Sequence, residues 1–439
     1  YNMMKASTLF CDDTSGTGQW RMLFPANLLM PHLSRHSEMI TITKSAPVNP
    51  NFLAANNSVM IQRFPSDAQR KLFEEAIFPA SALGMTNIIY NTDDVTGIGD
   101  IPKYNPSHWL YDKQSSQDNI KAVITRCDYV LVTTAKLKEY VKELYGIPEN
   151  NFLIVPNMLP RSLFWRLYQP EYRLNSFTNN KDKKGKLNIG LIGSSSHLNT
   201  QGFLWTKDKH ECVHPKQGGK FVNPVTNEEF DREDLEFIPD DFDLVLDTIR
   251  ATQDKYNWIV MGEARTDSFR KAKEEKLFNV IPHQDILHFF DLLQSLNLDV
   301  IVAPSEDSIF SQCKSNLKVL EAASVGAALF VSDVLPYQKD VPEARRFKTS
   351  EELTKKLLDF YDTKPLEYME IIDNEQYSIL NSPVEVDDGP TLKNYWLDDN
   401  LSVWRDIFFP PRKGLKVFIP SLLTEKKEPE EKTGQDINE

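Results

Sequence analysis

Short apolar runs rich in Val, Ile and Leu recur along the whole chain. They fall at Thr8–Cys11, Met39–Thr43, Val59–Arg63, Asn87–Asn91, Tyr129–Thr133, Phe152–Val155, Leu187–Ile192, Trp258–Met261, Asn279–Ile281, Asp299–Ala303 and Ala328–Ser332. They lack clean polar alternation, as expected of parallel strands covered on both faces. Helical spacing separates them, at Asp67–Phe78, Ala135–Tyr145, Asp241–Gln253 and Glu351–Tyr361. A repeated strand-then-helix order predicts an α/β protein built from doubly wound parallel sheets.

The polar stretch NSFTNNKDKKGK at 175–186 predicts a linker, and LNIGLIGSSSH after it reads as a fresh first strand entering a small-residue turn. This divides the chain into a first Rossmann-like domain at 1–183 and a second at 184–385. An insertion at 199–240, with scattered Gly, Pro and Lys, predicts an irregular excursion. Residues 386–424 are expected to pack back on the first domain. Residues 425–439 hold six acids, three lysines and one apolar residue, the composition of a disordered tail.

Length changes this picture little: 439 residues suit two ordinary domains. No apolar run approaches the ~20 residues of a membrane helix. The opening YNMMKAST lacks a signal core and reads as a short extension before a native methionine. Four widely spaced cysteines favour free thiols and a cytoplasmic setting. With 63 acids against 50 bases the net charge is -13, which argues against a protein that coats nucleic-acid phosphates, though not against a local basic groove.

The segment DVIVAPSEDSIFSQCKSNLKVLEAASVGAALFVSDVLPY (299–337) reads strand, loop, helix, tight turn at Gly326, strand. Ser315 is the expected N-cap. The unpaired N–H groups of the first turn would suit an anion. Lys314, Lys318 and Glu321 are spaced to share one helix face. Two cations there suit a diphosphate, and a carboxylate one turn deeper suits ribose hydroxyls. A solvated surface helix is the plain alternative.

The string from Lys314 to Tyr337 resembles the donor motif of GT-B glycosyltransferases, especially retaining family four and its phage-encoded relatives. Lys314, Ser315, Lys318, Glu321, Gly326, Ser332, Pro336 and Tyr337 carry the match. Better-known members have two glutamates eight positions apart; the first of these is Cys313 here. The resemblance implies two Rossmann-like domains facing an interdomain cleft, with the donor held by Lys314, Ser315, Asn316, Leu317, Lys318 and Glu321. It extends to the first βα turn, where Gly16, Thr17 and Gly18 would approach the sugar-phosphate and Arg21 would join the catalytic groups. Ser194, Ser195 and His197 would cup the diphosphate, and the loop at His283 would hold the base. Asp93 and Asp94 would serve the acceptor. A metal-holding pair, as in the other glycosyltransferase fold, and a solvated turn are the alternatives.

In the insertion, His210, Cys212 and His214 crowd together, which leaves a zinc site open as a minor reading. Trp205, Lys207 and Lys209, with Lys216 and Lys220 nearby, interleave aromatic and basic residues as a nucleic-acid groove would. The expected activity is sugar transfer from a nucleotide-diphosphate sugar, most simply a UDP-sugar, with retention, no cofactor and no metal. The favoured acceptor is 5-hydroxymethylpyrimidine in phage DNA, in the host cytoplasm. A surface polysaccharide or lipid acceptor, or a nucleotide-sugar binder without turnover, are the other readings. No membrane contact is expected.

Overall fold

Strand and helix alternate to build two six-stranded sheets, each parallel throughout. The computed structural model describes residues 4–194 and 196–413. Ser195 and the expected tail at 425–439 lie outside the described residues.

The first sheet contains β1 (Lys5–Phe10), β2 (Glu38–Thr43), β3 (Ser58–Gln62), β4 (Asn87–Asn91), β5 (Tyr129–Val132) and β6 (Phe152–Ile154), in the order β2-β1-β3-β4-β5-β6. The second domain opens with β7 (Leu187–Ile192). Its insertion carries β8 (Leu204–Thr206), β9 (Cys212–Pro215), β10 (Phe221–Val222), β11 (Glu229–Phe230) and β12 (Leu235–Phe237). Then follow β13 (Tyr256–Met261), β14 (Asn279–Ile281), β15 (Val300–Ala303), β16 (Ala328–Ser332) and β17 (Arg346–Phe347), and the second sheet is ordered β14-β13-β7-β15-β16-β17. β1 lies between β2 and β3, and β7 between β13 and β15. Each sheet therefore has a point where successive crossovers leave in opposite directions. Ligands of open α/β sheets bind outside the strand carboxyl ends at such points.

The inner apolar runs become strands because they are buried on both faces, whereas the edge strands β2 and β14 stay half-buried. Every residue of β3, β4 and β16 is buried. The helix Ala135–Tyr145 follows the same logic. The Thr134 side chain accepts from Leu137 N, Leu137, Val141 and Tyr145 are buried along one face, and Gly146 ends it at φ 72°.

Three expectations fail. The supposed linker is helix: Pro170–Thr178 runs into a π turn, Asn179–Lys183. Its polar residues find partners on the second sheet. Asn180 donates to the buried Asp299 (2.8 Å), and Arg173 donates to Asp299 and to the Gly326 carbonyl. Second, the helix expected from Asp241 begins at Leu246, because Asp240 holds the preceding turn by accepting from Asn199 N and Phe242 N. Third, the insertion is not irregular. It is an antiparallel sheet ordered β11-β10-β9-β8-β12, with a small core of Leu204, Val213 and Leu235. Its strands are too short for periodicity to reveal.

The last described stretch lies on the first domain. In the helix Leu401–Phe408, Arg405 pairs with Glu38 (2.8 Å), and the Phe408 carbonyl accepts from Ser58 Oγ (2.6 Å). Between the domains, Trp20 meets Phe290 edge to face with ring centroids 5.9 Å apart. No helix among the described residues is long and apolar enough to cross a membrane.

Candidate active site

Beyond β15 the chain makes a short helix, Ile309–Gln312, and then the helix Leu317–Val325. Ser315 is not its cap. Asn316 occupies that position without a side-chain cap bond, and Asn316 Nδ2 instead donates to Asp340 (2.8 Å). Ser315 Oγ accepts from Asn157 Nδ2 of the first domain (3.2 Å). The expected single face of Lys314, Lys318 and Glu321 is split, because Lys314 lies ahead of the helix. Its Nζ is 2.7 Å from Asp94, across the domain boundary, and 4.1 Å above the Phe310 ring. Lys318 pairs with Glu321 at 2.7 Å, the carboxylate nearly buried, and lies over Phe289. Leu317 opens the helix proper. Cys313, where an acid was expected from the family pattern, is buried, and burial pushes its thiol up to about 12.

The loop after β7 faces this helix from the other side of the switch point. His197, Gly193, Asp241, Tyr337 and Lys318 line one small cavity there. His197 Nδ1 is 2.7 Å from Asp241 Oδ2, and Asp241 Oδ1 accepts from Glu306 N. Asp241 was not among the sequence candidates, since the insertion separates it from His197. Ser194 Oγ bonds Ser196 Oγ (3.0 Å), closing the small-residue turn. His283 is exposed in the loop between β14 and the helix Ile286–Ser295.

In the first domain, Gly16–Gly18 starts a helix that widens into a π turn at Gln19–Leu23. Such bulges concentrate at functional sites. A Cβ on Gly18 would lie 1.6 Å from the Asp13 carbonyl oxygen, so only glycine allows this approach; around Gly16 there is open space. Thr17 Oγ1 donates to Asp93 (2.9 Å) and accepts from Arg63 (3.0 Å), which also reaches Asp13 (3.4 Å). Arg63 and Phe64 hold φ of 60° and 48°, sparsely populated conformations just beyond β3. Burial raises the Asp93 carboxyl and the neighbouring Asp94 raises it further, against Arg63, Lys314 and Thr17.

Arg21 differs from the expectation. It is 0% exposed, so it cannot touch a substrate in this arrangement. Its guanidinium donates to the Val155 and Val132 carbonyls and to Asn91 and Asn157, tying together the carboxyl ends of β4, β5 and β6. Burial lowers it to about 10, partly offset by Asp93. Arg63, which the sequence reading passed over, reaches Asp93 through Thr17, which bonds both, and the charges of Asp93 and Asp94 act on its guanidinium. Only its register beyond β3 marks it.

No protein-family model matches the chain, and no curated protein matches it. Among solved structures, a glycosyltransferase from Rickettsia africae is similar over 93% of this chain and 98% of its own, at 12% identity and a TM-score of 0.53. The fold is GT-B. Looser likenesses include Anabaena HepE in complex with UDP (10% identity, 92% and 96% of the two chains, TM-score 0.47). Another is WaaG, a glycosyltransferase involved in lipopolysaccharide biosynthesis (11% identity, 93% and 100%, TM-score 0.47).

In this GT-B chain the insertion's basic stripe is largely spent internally. Lys207 Nζ donates to the Glu233 carbonyl, Lys216 pairs with Glu229 and Lys220 with Asp231. Trp205 stacks on His210 (4.3 Å) and donates to Glu236, while Lys209 is exposed. The zinc reading of His210, Cys212 and His214 gains no geometry: among the described residues no three metal-ligating side chains group together. The His214 ring lies instead against Trp109, and burial pushes the Cys212 thiol up to about 11.

Proposed function

We propose that the protein transfers a sugar from a nucleotide-diphosphate sugar, with a UDP-sugar as the expected co-substrate, to a hydroxyl, retaining configuration and using no metal. The observation that carries this reading is the Lys318–Glu321 pair at the switch point of the second sheet, with Lys314 just ahead of its helix paired to Asp94 beyond β4. Bond breaking leaves charge on the departing diphosphate. Lys318 and the amide-bearing helix start at Asn316 and Leu317 would stabilise those oxygens, and Glu321 would hold the ribose. His197 would close the donor loop, and Asp94 would orient the acceptor hydroxyl.

The first acceptor to assay is DNA containing 5-hydroxymethylcytosine. A carbohydrate acceptor is the second reading, favoured because Lys207, Lys216 and Lys220 are bonded within the insertion and add little free positive charge. The test incubates the protein with radiolabelled nucleotide sugars and plain DNA, hydroxymethylated DNA or a polysaccharide. Label on the modified DNA alone supports the first reading, and label on the polysaccharide supports the second. Absence of both acceptor labelling and nucleotide-diphosphate release would reject catalysis and leave only a binder.

A further inference from the structure

The insertion leaves the second domain and returns to it at one point, and that point is His197. At its base Asn199 N donates to Asp240 (2.6 Å), Asp241 N donates to the His197 carbonyl (3.1 Å), and His197 Nδ1 meets Asp241 Oδ2. Its far side rests on the first domain. The Trp109 ring packs edge-on against His214 (4.2 Å) and tilts against Phe203 (5.3 Å). Lys103 Nζ donates to the His210 carbonyl (3.0 Å) and lies 5.7 Å from the Trp205 ring centre. Between these contacts lies the buried Tyr104, whose hydroxyl is raised by burial and by the charge of Asp241.

An antiparallel sheet with its own core moves as one piece. Tied at the base and seated at the far side, it transmits any shift of the seat to the residues at the base. Those residues are Asp240 and Asp241, and Asp241 fixes the His197 ring. The Trp109 indole N–H has no partner among the described residues, so ring packing and the Lys103 bond hold the seat.

We propose that the insertion is an interdomain strap, and that Trp109 and Lys103 act through it, together with Tyr104 and Asp241, as positioning residues for His197. Contact between the domains and placement of the imidazole at the donor loop are then one event. This rests on the donor-site reading above only for what His197 does, not for how it is held.

The test uses the full chain with isotope-labelled histidines, the His197 ring signal being assigned by its loss in His197→Gln. Trp109→Ala is expected to move that signal and Trp109→Phe to restore it. UDP affinity, measured by calorimetry, is expected to fall roughly tenfold in Trp109→Ala, a common size for coupling between sites. Should Trp109→Ala fail to fold, Lys103→Ala at an exposed position carries the same measurement. A His197 signal unmoved by loss of the seat overturns the strap. A signal that moves in a protein to which UDP does not bind upholds the strap and rejects the nucleotide-sugar reading instead.

Discussion

Lys314 Nζ and the Asp94 carboxylate, 2.7 Å apart, join the two domains through an ion pair less than a quarter exposed on either side. The flanking residues reinforce it: the Cys313 carbonyl accepts from Thr134, and Ser315 accepts from Asn157. Three successive residues of the second domain thus meet the carboxyl ends of β4, β5 and β6. A diphosphate arriving near Lys314 has to compete with Asp94.

Removing that competitor should tighten donor binding. In Asp94→Asn the pair loses about 1 kcal/mol, so UDP affinity is expected to rise up to roughly fivefold while turnover falls. Calorimetry paired with a transfer assay checks both, and weaker UDP binding would show that Asp94 does not compete.

Lys318→Ala should act oppositely. A hydrogen bond to a charged group contributes about 1.5–3 kcal/mol, so UDP affinity is expected to drop at least tenfold, with Glu321 left buried and unpaired. Unchanged affinity would remove Lys318 from the donor site.

The two glycines of the first turn should behave unequally. Gly18→Ala drives a Cβ into the Asp13 carbonyl and is expected to cost about 1–3 kcal/mol in urea unfolding. Gly16→Ala meets open space and should be close to neutral. Equal effects would mean that the loop does not sit as described.

Arg21→Lys is expected to destabilise the fold by about 3 kcal/mol or more, since an ammonium cannot reach the separate acceptors that the guanidinium fork now satisfies. Denaturant melts measure this. A stable but inactive Arg21→Lys would restore the catalytic role that its burial argues against.

Burial pushes the Asp240 carboxyl at the base of the strap from its ordinary 3.8 up to about 7, against the favourable bonds from Asn199 N and Phe242 N. Between those values the folded state holds a proton that the unfolded chain has released. This group's contribution to stability is therefore present at low pH and lost as pH rises through that window. The thermal midpoint of Asp240→Asn should lack this fall, and a parallel pH profile for both proteins would show that Asp240 titrates normally.

Much of this was legible along the chain. β4, β7 and β16 occupy the residues their apolar runs mark, because strands buried on both faces need largely apolar residues whatever their partners, and the edge strand β14 does so while only half-buried. The string from Lys314 to Tyr337 likewise carries its helix, its Gly326 turn and its β16 in its own residues. Local hydrophobicity and turn chemistry determine such elements.

Partnership was decided only in three dimensions. Nothing near Asn180 shows that it bonds Asp299, so a half-buried helix reads as a linker. Nothing near Lys314 shows that it faces Asp94, nor near His197 that Asp241 returns to it after a whole antiparallel sheet. Arg21 and Arg63 look alike as residues, and only the assembled sheet buries one beneath the ends of β4, β5 and β6 and sets the other against Thr17 and Asp13. A side chain's charge is written in its own residue, whereas the burial and neighbours that give the charge its role come from segments distant along the chain.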